Sequence, residues 1–188
     1  MEKNIVVVIE GPNGAGKNSI IRGLCSTYPG LYKKPANVTT REMRQGEKQG
    51  DPYYFVTVDQ FLKMRTGGEI FEDTVRSGTY RGMSQTLINK VIEGGRVPLI
   101  NCDLMGVAAL KKLGKYGLVT IFVTATKEEI QARLNARGDS HYDKIKRLND
   151  YENYMTFEKH FDYSVHNKDL ETTINIIHTI IQKNLKAN

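Results

Sequence analysis

Cysteine, histidine and long apolar runs are scarce in this chain, and each shortage closes off a class of chemistry. Two cysteines, Cys25 and Cys102, occur in 188 residues, with no metal-ligand spacing. They read as buried, reduced thiols of a cytosolic chain without a signal peptide. The four histidines, His141, His160, His166 and His178, form no metal-ligating or catalytic spacing. No apolar run approaches the roughly 20 residues of a membrane-spanning helix. No run of Lys and Arg resembles a nucleic-acid-binding tail. Repeats and low-complexity tracts are also missing. The resulting expectation is a cytoplasmic protein whose partners are neither membranes nor nucleic acids.

Positive charge is what the chain has. It carries 27 Lys and Arg against 21 Asp and Glu, a formal net charge of +6. Several of the arginines fall near expected loops, which suits a small phosphate-bearing ligand. The length and a 39% hydrophobic content allow one α/β domain with a core, with room for a small insertion.

The strongest local pattern is Gly11-Pro12-Asn13-Gly14-Ala15-Gly16-Lys17, between an apolar strand at residues 4–10 and a helix opening at Lys17. Gly, four residues, then Gly-Lys is the phosphate-binding loop. Glycines let consecutive amide N–H groups curl around a polyphosphate, and the helix N-terminus adds its unpaired donors. Lys17 would reach the outer phosphates as a mobile charge. Gly11, Asn13, Gly14, Ala15, Gly16, Lys17, Asn18 and Ser19 are therefore the expected triphosphate-binding set. The pattern calls for Ser or Thr after the lysine, where a hydroxyl meets Mg²⁺. Asn18 stands there, so its amide oxygen is the candidate metal ligand. Ser19 is one helical step away, about 100° around the axis.

Further along, apolar strands are expected at 97–100, 118–123 and 161–165, with helices over 84–95, 106–113 and 127–137. In the terminal helix, Leu170, Ile174, Ile177 and Ile181 share one face. Strand–helix alternation implies a parallel sheet of about five strands with helices on both faces. Asp103 closes the 97–100 strand, where ligands bind in open α/β sheets. Residues 34–56 are polar and turn-rich. Their arginines and tyrosines would suit a phosphate clamp, and a solvated surface loop fits them equally well.

Two stretches make the chain recognisable. Thr39-Thr40-Arg41-x-x-Arg44-x-Gly46-Glu47-x-x-Gly50-x-x-Tyr53-x-Phe55-Val56 resembles the nucleotide-monophosphate segment of guanylate kinases. Glu69-Ile70-Phe71-Glu72 and Gly78-x-Tyr80-x-Gly82 follow in that family's order. The resemblance covers about residues 4–182. Thymidylate-kinase-like proteins share the Ile-Glu-Gly that opens the loop, but not residues 39–56. The resemblance implies a P-loop NTPase fold with core segments 1–33, 83–136 and 148–188, a monophosphate-binding region at 34–82 and a lid at 137–147. It implies that Arg41, Arg44 and Tyr53 hold the GMP phosphate and that Glu47 supports them. Glu72 would accept from guanine N1–H and N2–H₂, with Asp103 near the base. Arg137 and Arg147 match lid arginines that close on ATP, Arg133 lies near the nucleotide, and Asn167 matches a turn beside the adenine. With Lys17, Arg41 and Arg44, the two lid arginines make the implied catalytic set.

Several positions depart from the family pattern. Asn37 and Met83 replace hydroxyl residues of the guanine site, Arg81 replaces a phosphate-binding tyrosine, and Asn101 replaces an acid near the phosphates and metal. The implied function is transfer of the ATP γ-phosphoryl group to GMP with Mg²⁺ as cofactor. The departures leave two alternatives. One is a paralog with weak or no activity that binds a nucleotide or phosphopeptide, and the other is a kinase for a different nucleoside monophosphate.

Overall fold

Six consecutive buried residues, Ile5-Val6-Val7-Val8-Ile9-Glu10, form the central strand. In a computed structural model describing residues 4–136, 138 and 140–186, the chain runs β1 (Ile5–Glu10), α1 (Lys17–Thr27), β2 (Tyr32–Lys33), β3 (Asn37–Thr39), β4 (Tyr53–Phe55), α2 (Val58–Thr66), β5 (Ile70–Arg76) and β6 (Thr79–Ser84). It continues through α3 (Gln85–Glu93), β7 (Val97–Ile100), α4 (Leu104–Leu113), β8 (Gly117–Thr124), α5 (Lys127–Ala136), α6 (His141–Asn149), α7 (Tyr151–Met155), β9 (Tyr163–His166) and α8 (Leu170–Lys186).

Two sheets result. The larger has the order β2-β7-β1-β8-β9 with every neighbouring pair parallel. Side-chain alternation along β1 builds three layers. Ile5, Val7 and Ile9 join Ile20, Leu24, Ile130 and Ile177 beneath α1, α5 and α8. Val6 and Val8 join Ile88, Ile100, Val107 and Leu110 beneath α3 and α4. Each such aliphatic side chain contributes roughly 1.5–3 kcal/mol by leaving water. Glu10 continues the even-numbered set at the carboxyl end of the strand.

The smaller sheet has the order β4-β3-β6-β5, with β3 parallel to β4 and antiparallel to β6. Its core is small: Val38, Phe61 and Ile70, with half-buried residues around them. Helix α2 covers it and starts at a capping box. Thr57 Oγ1 accepts from the Gln60 amide at 3.2 Å, and Gln60 Oε1 accepts from the Thr57 amide at 2.9 Å.

Three expectations change in detail. Leu170 opens α8 and is exposed, so the core face of that helix is Ile174, Ile177 and Ile181. The last strand lies at Tyr163–His166 because Asp162 turns back to bond Thr120 on β8. Cys102 is buried and Cys25 half-buried, both as free thiols.

Candidate active site

The phosphate loop sits where β1 ends and α1 begins. Gly16 adopts the left-handed conformation at φ 101°, and a Cβ there would collide with the Asn167 amide. No side chain caps the N-terminus of α1, so its first amides point at the loop's concavity. Lys17 Nζ donates to the carbonyls of Gly11 and, at 3.2 Å, of Pro12, and lies 3.8 Å from Glu10 Oε1. Burial pulls the Lys17 ammonium pKa below its ordinary value, with Glu10 opposing and Arg147 adding to the shift.

Behind the loop, polar side chains hold it to the next elements. Asn167, buried after β9, donates to Ala15 O at 2.7 Å and accepts from Thr173 Oγ1 at 3.0 Å. Arg133 of α5 donates to Ala15 O at 3.1 Å and to Asn167 O. These bonds fix the loop while leaving its inner face open.

One cavity of about 630 Å³ begins at the loop. Asn13, Gly14, Gly16, Lys17, Asn18 and Ser19 line one end, and Arg133, Arg147 and Tyr154 line a side. Glu10, Asn101, Asp103 and Glu72 complete it. Asp103 caps α4, its Oδ1 accepting from the Gly106 amide at 3.0 Å. Glu72 reaches the cavity from β5 over Gly106, where a Cβ would strike its carboxylate. Glu72 Oε2 is fully buried with no hydrogen-bond partner among the described residues. Burial first, then the carboxylates of Asp103, Glu10 and Asp73, push the Glu72 pKa up to about 7.

The small sheet carries a second cluster. Arg41 Nη2 donates to both Glu47 oxygens, at 2.8 and 2.9 Å, and the Arg44 amide donates to Glu47 Oε2 at 2.8 Å. Strand pairing sets Asn37 opposite Tyr53 and Thr39 opposite Arg81. The Arg41 and Arg81 guanidiniums both lie against the Tyr53 ring, 5.5 and 5.4 Å from its centroid. Arg44 and Arg81 are exposed. Asn37 and Tyr53 line another cavity, of about 500 Å³, with Lys33, Lys34 and Asp51. Met83 pairs with Glu72 across β5 and β6 and packs against the cluster under α3 and α4. Gly11 and Ala15 are buried in the loop's base. Arg137 lies outside the described residues.

A loop for polyphosphate, an acid at the far end of the same cavity and an arginine cluster on a separate small sheet invite comparison with known proteins. The family model described as guanylate kinase matches residues 3–184. The chain belongs to the guanylate kinase family. The guanylate kinase of Photorhabdus laumondii is 32% identical over 97% of this chain and 89% of its own length. That of Chlamydia trachomatis is 34% identical over 92% of this chain and 84% of its own. Among solved structures, the guanylate kinase of Anaplasma phagocytophilum superposes with a TM-score of 0.68 at 25% identity, over 98% of this chain and 88% of that one. The kinase-containing fragment of tight junction protein 3, at 12% identity and a TM-score of 0.60, shares the fold.

Sequence reasoning missed Glu10 and Tyr154 as lining residues of this family member's cavity. Glu10 had a visible signal: a carboxylate ends a run of five aliphatic residues one step before the loop. Tyr154 had none, because α7 reaches the cavity only through the packing of residues 151–155. Cys102 also lines the cavity, and burial raises its thiol pKa far above the ordinary value, so it offers no thiolate.

Proposed function

We propose that this chain transfers the γ-phosphoryl group of ATP to GMP, giving ADP and GDP. One observation supports it best. A phosphate loop with a poised lysine shares a cavity with a buried carboxylate oxygen that has no partner among the described residues. Guanine presents two adjacent donors, N1–H and N2–H₂, and an ionised carboxylate accepts both. Adenine has no such edge. Binding guanine would satisfy Glu72 Oε2, whose burial without a partner otherwise costs about 1–3 kcal/mol.

The reaction needs no covalent intermediate. An oxygen of the GMP phosphate attacks the γ-phosphorus, and the bond to the β-phosphate oxygen breaks, leaving ADP. In this reading Lys17 leaves the Gly11 and Pro12 carbonyls for the ATP phosphates. Arg41 and Arg44 hold the GMP phosphate, with Tyr53 and Arg81 beside them. Arg147 and Arg137 neutralise charge on the transferring group. The two anions meet once the small sheet and α6 close on the cavity and exclude water.

The residues present suit Mg²⁺, a hard cation that takes oxygen ligands and completes its shell with phosphate and water. The Asn18 amide, the Ser19 hydroxyl and the carboxylates of Glu10 and Asp103 are among the oxygen donors that line this cavity. No group of three or more His, Cys, Asp or Glu among the described residues forms a cage of its own. In this reading the ion arrives with ATP, and when bound it offsets phosphate charge.

The test is ADP release in a coupled assay with ATP and Mg²⁺, presenting GMP, dGMP, AMP, UMP and dTMP in turn. Turnover is expected with GMP and dGMP and not with AMP. Turnover confined to another base would overturn the assignment of Glu72 to guanine. No ADP release with any of the five would overturn the kinase reading.

A further inference from the structure

Glu10 is the one charged residue among the buried residues described for this chain, at 7% exposure. Burying a carboxylate is costly unless it is paired, and such groups persist where they serve a site. Glu10 has partial partners only. Lys17 Nζ is 3.8 Å from Oε1, beyond hydrogen-bond reach, and its own bonds go to loop carbonyls. The Asn101 side chain donates to the carboxylate. Burial pushes the Glu10 pKa above its ordinary value, and Lys17 and Asn101 oppose that shift, so the carboxylate stands under-compensated on the floor of the phosphate cavity, one residue before the loop.

Asn101 meets Glu10 from the neighbouring strand. It follows β7, the parallel neighbour of β1, and its NH₂ donates to Ile9 O at 2.8 Å and to Glu10 Oε2. An aspartate at 101 beside Glu10 would set a second carboxylate against the first, and like charges at this spacing repel. The pair thus offers one carboxyl group, delivered from β1 and steadied by the amide that follows β7. Asp103, the next acid along, spends one oxygen capping α4. Asn18, at the loop position that usually carries a hydroxyl, brings no charge.

We propose that Glu10, oriented by Asn101, is the carboxylate that receives the divalent cation accompanying ATP. This deepens the kinase reading and rests on it. In this chain the acid of the metal side stands at the end of β1, and the end of β7 supplies a positioning amide. A cation held by phosphate oxygens, water and one carboxylate matches how Mg²⁺ is bound at nucleotide sites.

The experiment separates ATP binding from metal binding. ATP affinity is measured by calorimetry with EDTA and with Mg²⁺. Mn²⁺ affinity of the protein–ATP complex is measured from the electron paramagnetic resonance signal of free Mn²⁺. The proteins are the wild type, E10Q and the exchanged pair E10A/N101D. In E10Q, metal-free ATP is expected to bind as tightly as in the wild type or a few-fold tighter, because a negative charge has left the phosphate site. Mn²⁺ affinity in the complex is expected to fall at least about tenfold. E10A/N101D, which returns the carboxylate from the neighbouring strand, is expected to recover Mn²⁺ affinity to within about threefold, and it keeps the test open if E10Q fails to fold. Mn²⁺ affinity unchanged in E10Q would overturn the proposal. So would an equal loss of metal-free ATP binding, which would make Glu10 a structural partner of Lys17, or an exchanged pair no better than E10Q. Wild-type protein that bound no ATP under either condition would overturn the kinase reading together with this proposal.

Discussion

The two sheets hold their charges in opposite ways. At the carboxyl ends of the large sheet, charged groups are buried or half-buried and most are tied to backbone: Lys17 to loop carbonyls, Arg133 to Ala15 and Asn167, with Glu10 buried beneath the loop. On the small sheet they sit near the surface and are held by one another and by rings, as in Arg41 with Glu47 and Arg81 with Tyr53. The core behind each explains the contrast. The large sheet has continuous aliphatic strands covered on both faces, while the small one rests on Val38, Phe61 and Ile70. A rigid floor can position desolvated charge for the reacting phosphates. A lightly anchored sheet can move, and its exposed arginines tolerate that motion. Substitutions on the floor should therefore cost chemistry, and those on the small sheet should cost substrate affinity.

The largest effect should come from Lys17→Ala. It removes the ammonium that both neutralises phosphate and sits opposite Glu10, so kcat/KM should fall by about 10³-fold, as when a transition-state charge stabiliser is lost. The fold should survive, which circular dichroism would check. A fall of less than tenfold would mean that the floor does not carry the chemistry.

Glu72→Gln should come next and bears on pH. The wild-type KM for GMP should rise as pH falls below about 7, because only the ionised carboxylate accepts both guanine donors. In E72Q at pH 8 that KM should be higher by roughly 10²-fold, since a buried donor would face a donor, and its pH dependence should flatten. The stability sign runs the other way. The folded pKa of Glu72 lies above its ordinary 4.5, so its stabilising contribution is held below that pH and is lost as pH rises through about 7. Without GMP at pH 8, E72Q should melt higher than the wild type. A lower melting temperature would contradict the desolvation that sets this pKa.

Arg41→Ala tests the other side of the contrast. It should raise the KM for GMP about tenfold, because Arg44 and Arg81 remain nearby, and leave the KM for ATP unchanged. The Arg41–Glu47 pair lies near the surface, so the melting temperature should hardly move, in line with the ~0–1 kcal/mol of such pairs. An equal change in both KM values would show that the clamp and the floor already act as one unit.

This contrast also governs how much the sequence could tell. The large sheet was legible because buried parallel strands are unbroken apolar runs and the loop has a fixed spacing. Strands at 97–100 and 117–124 and helices at 85–93 and 127–136 fall where periodicity set them, within a residue or two. The small sheet was not legible by periodicity. Its strands at 37–39 and 53–55 have three residues each, and Arg41, Arg44 and Tyr53 were indistinguishable from a solvated loop without the family pattern. Side-chain partners across the fold were out of reach altogether. That Asn101 spends its amide on Glu10, or that Arg133 and Asn167 brace Ala15 from behind, depends on which strands are neighbours.

Asn18→Ser should have the smallest effect, and its size sharpens the comparison. Asn18 is exposed on the first turn of α1 and lines the phosphate cavity. Serine there supplies the hydroxyl that the loop pattern favours, on a shorter side chain and at nearly equal helix propensity. If Glu10 already provides the charged ligand, the hydroxyl replaces one neutral oxygen with another. The expected gain in kcat/KM with Mg²⁺ is then a few-fold at most, with stability within about 0.5 kcal/mol, as for other exposed substitutions. A gain of 10²-fold or more would say that the floor is intact but short of a metal ligand. The deficit would then lie at residue 18, and the acid at the end of β1 would be insufficient by itself.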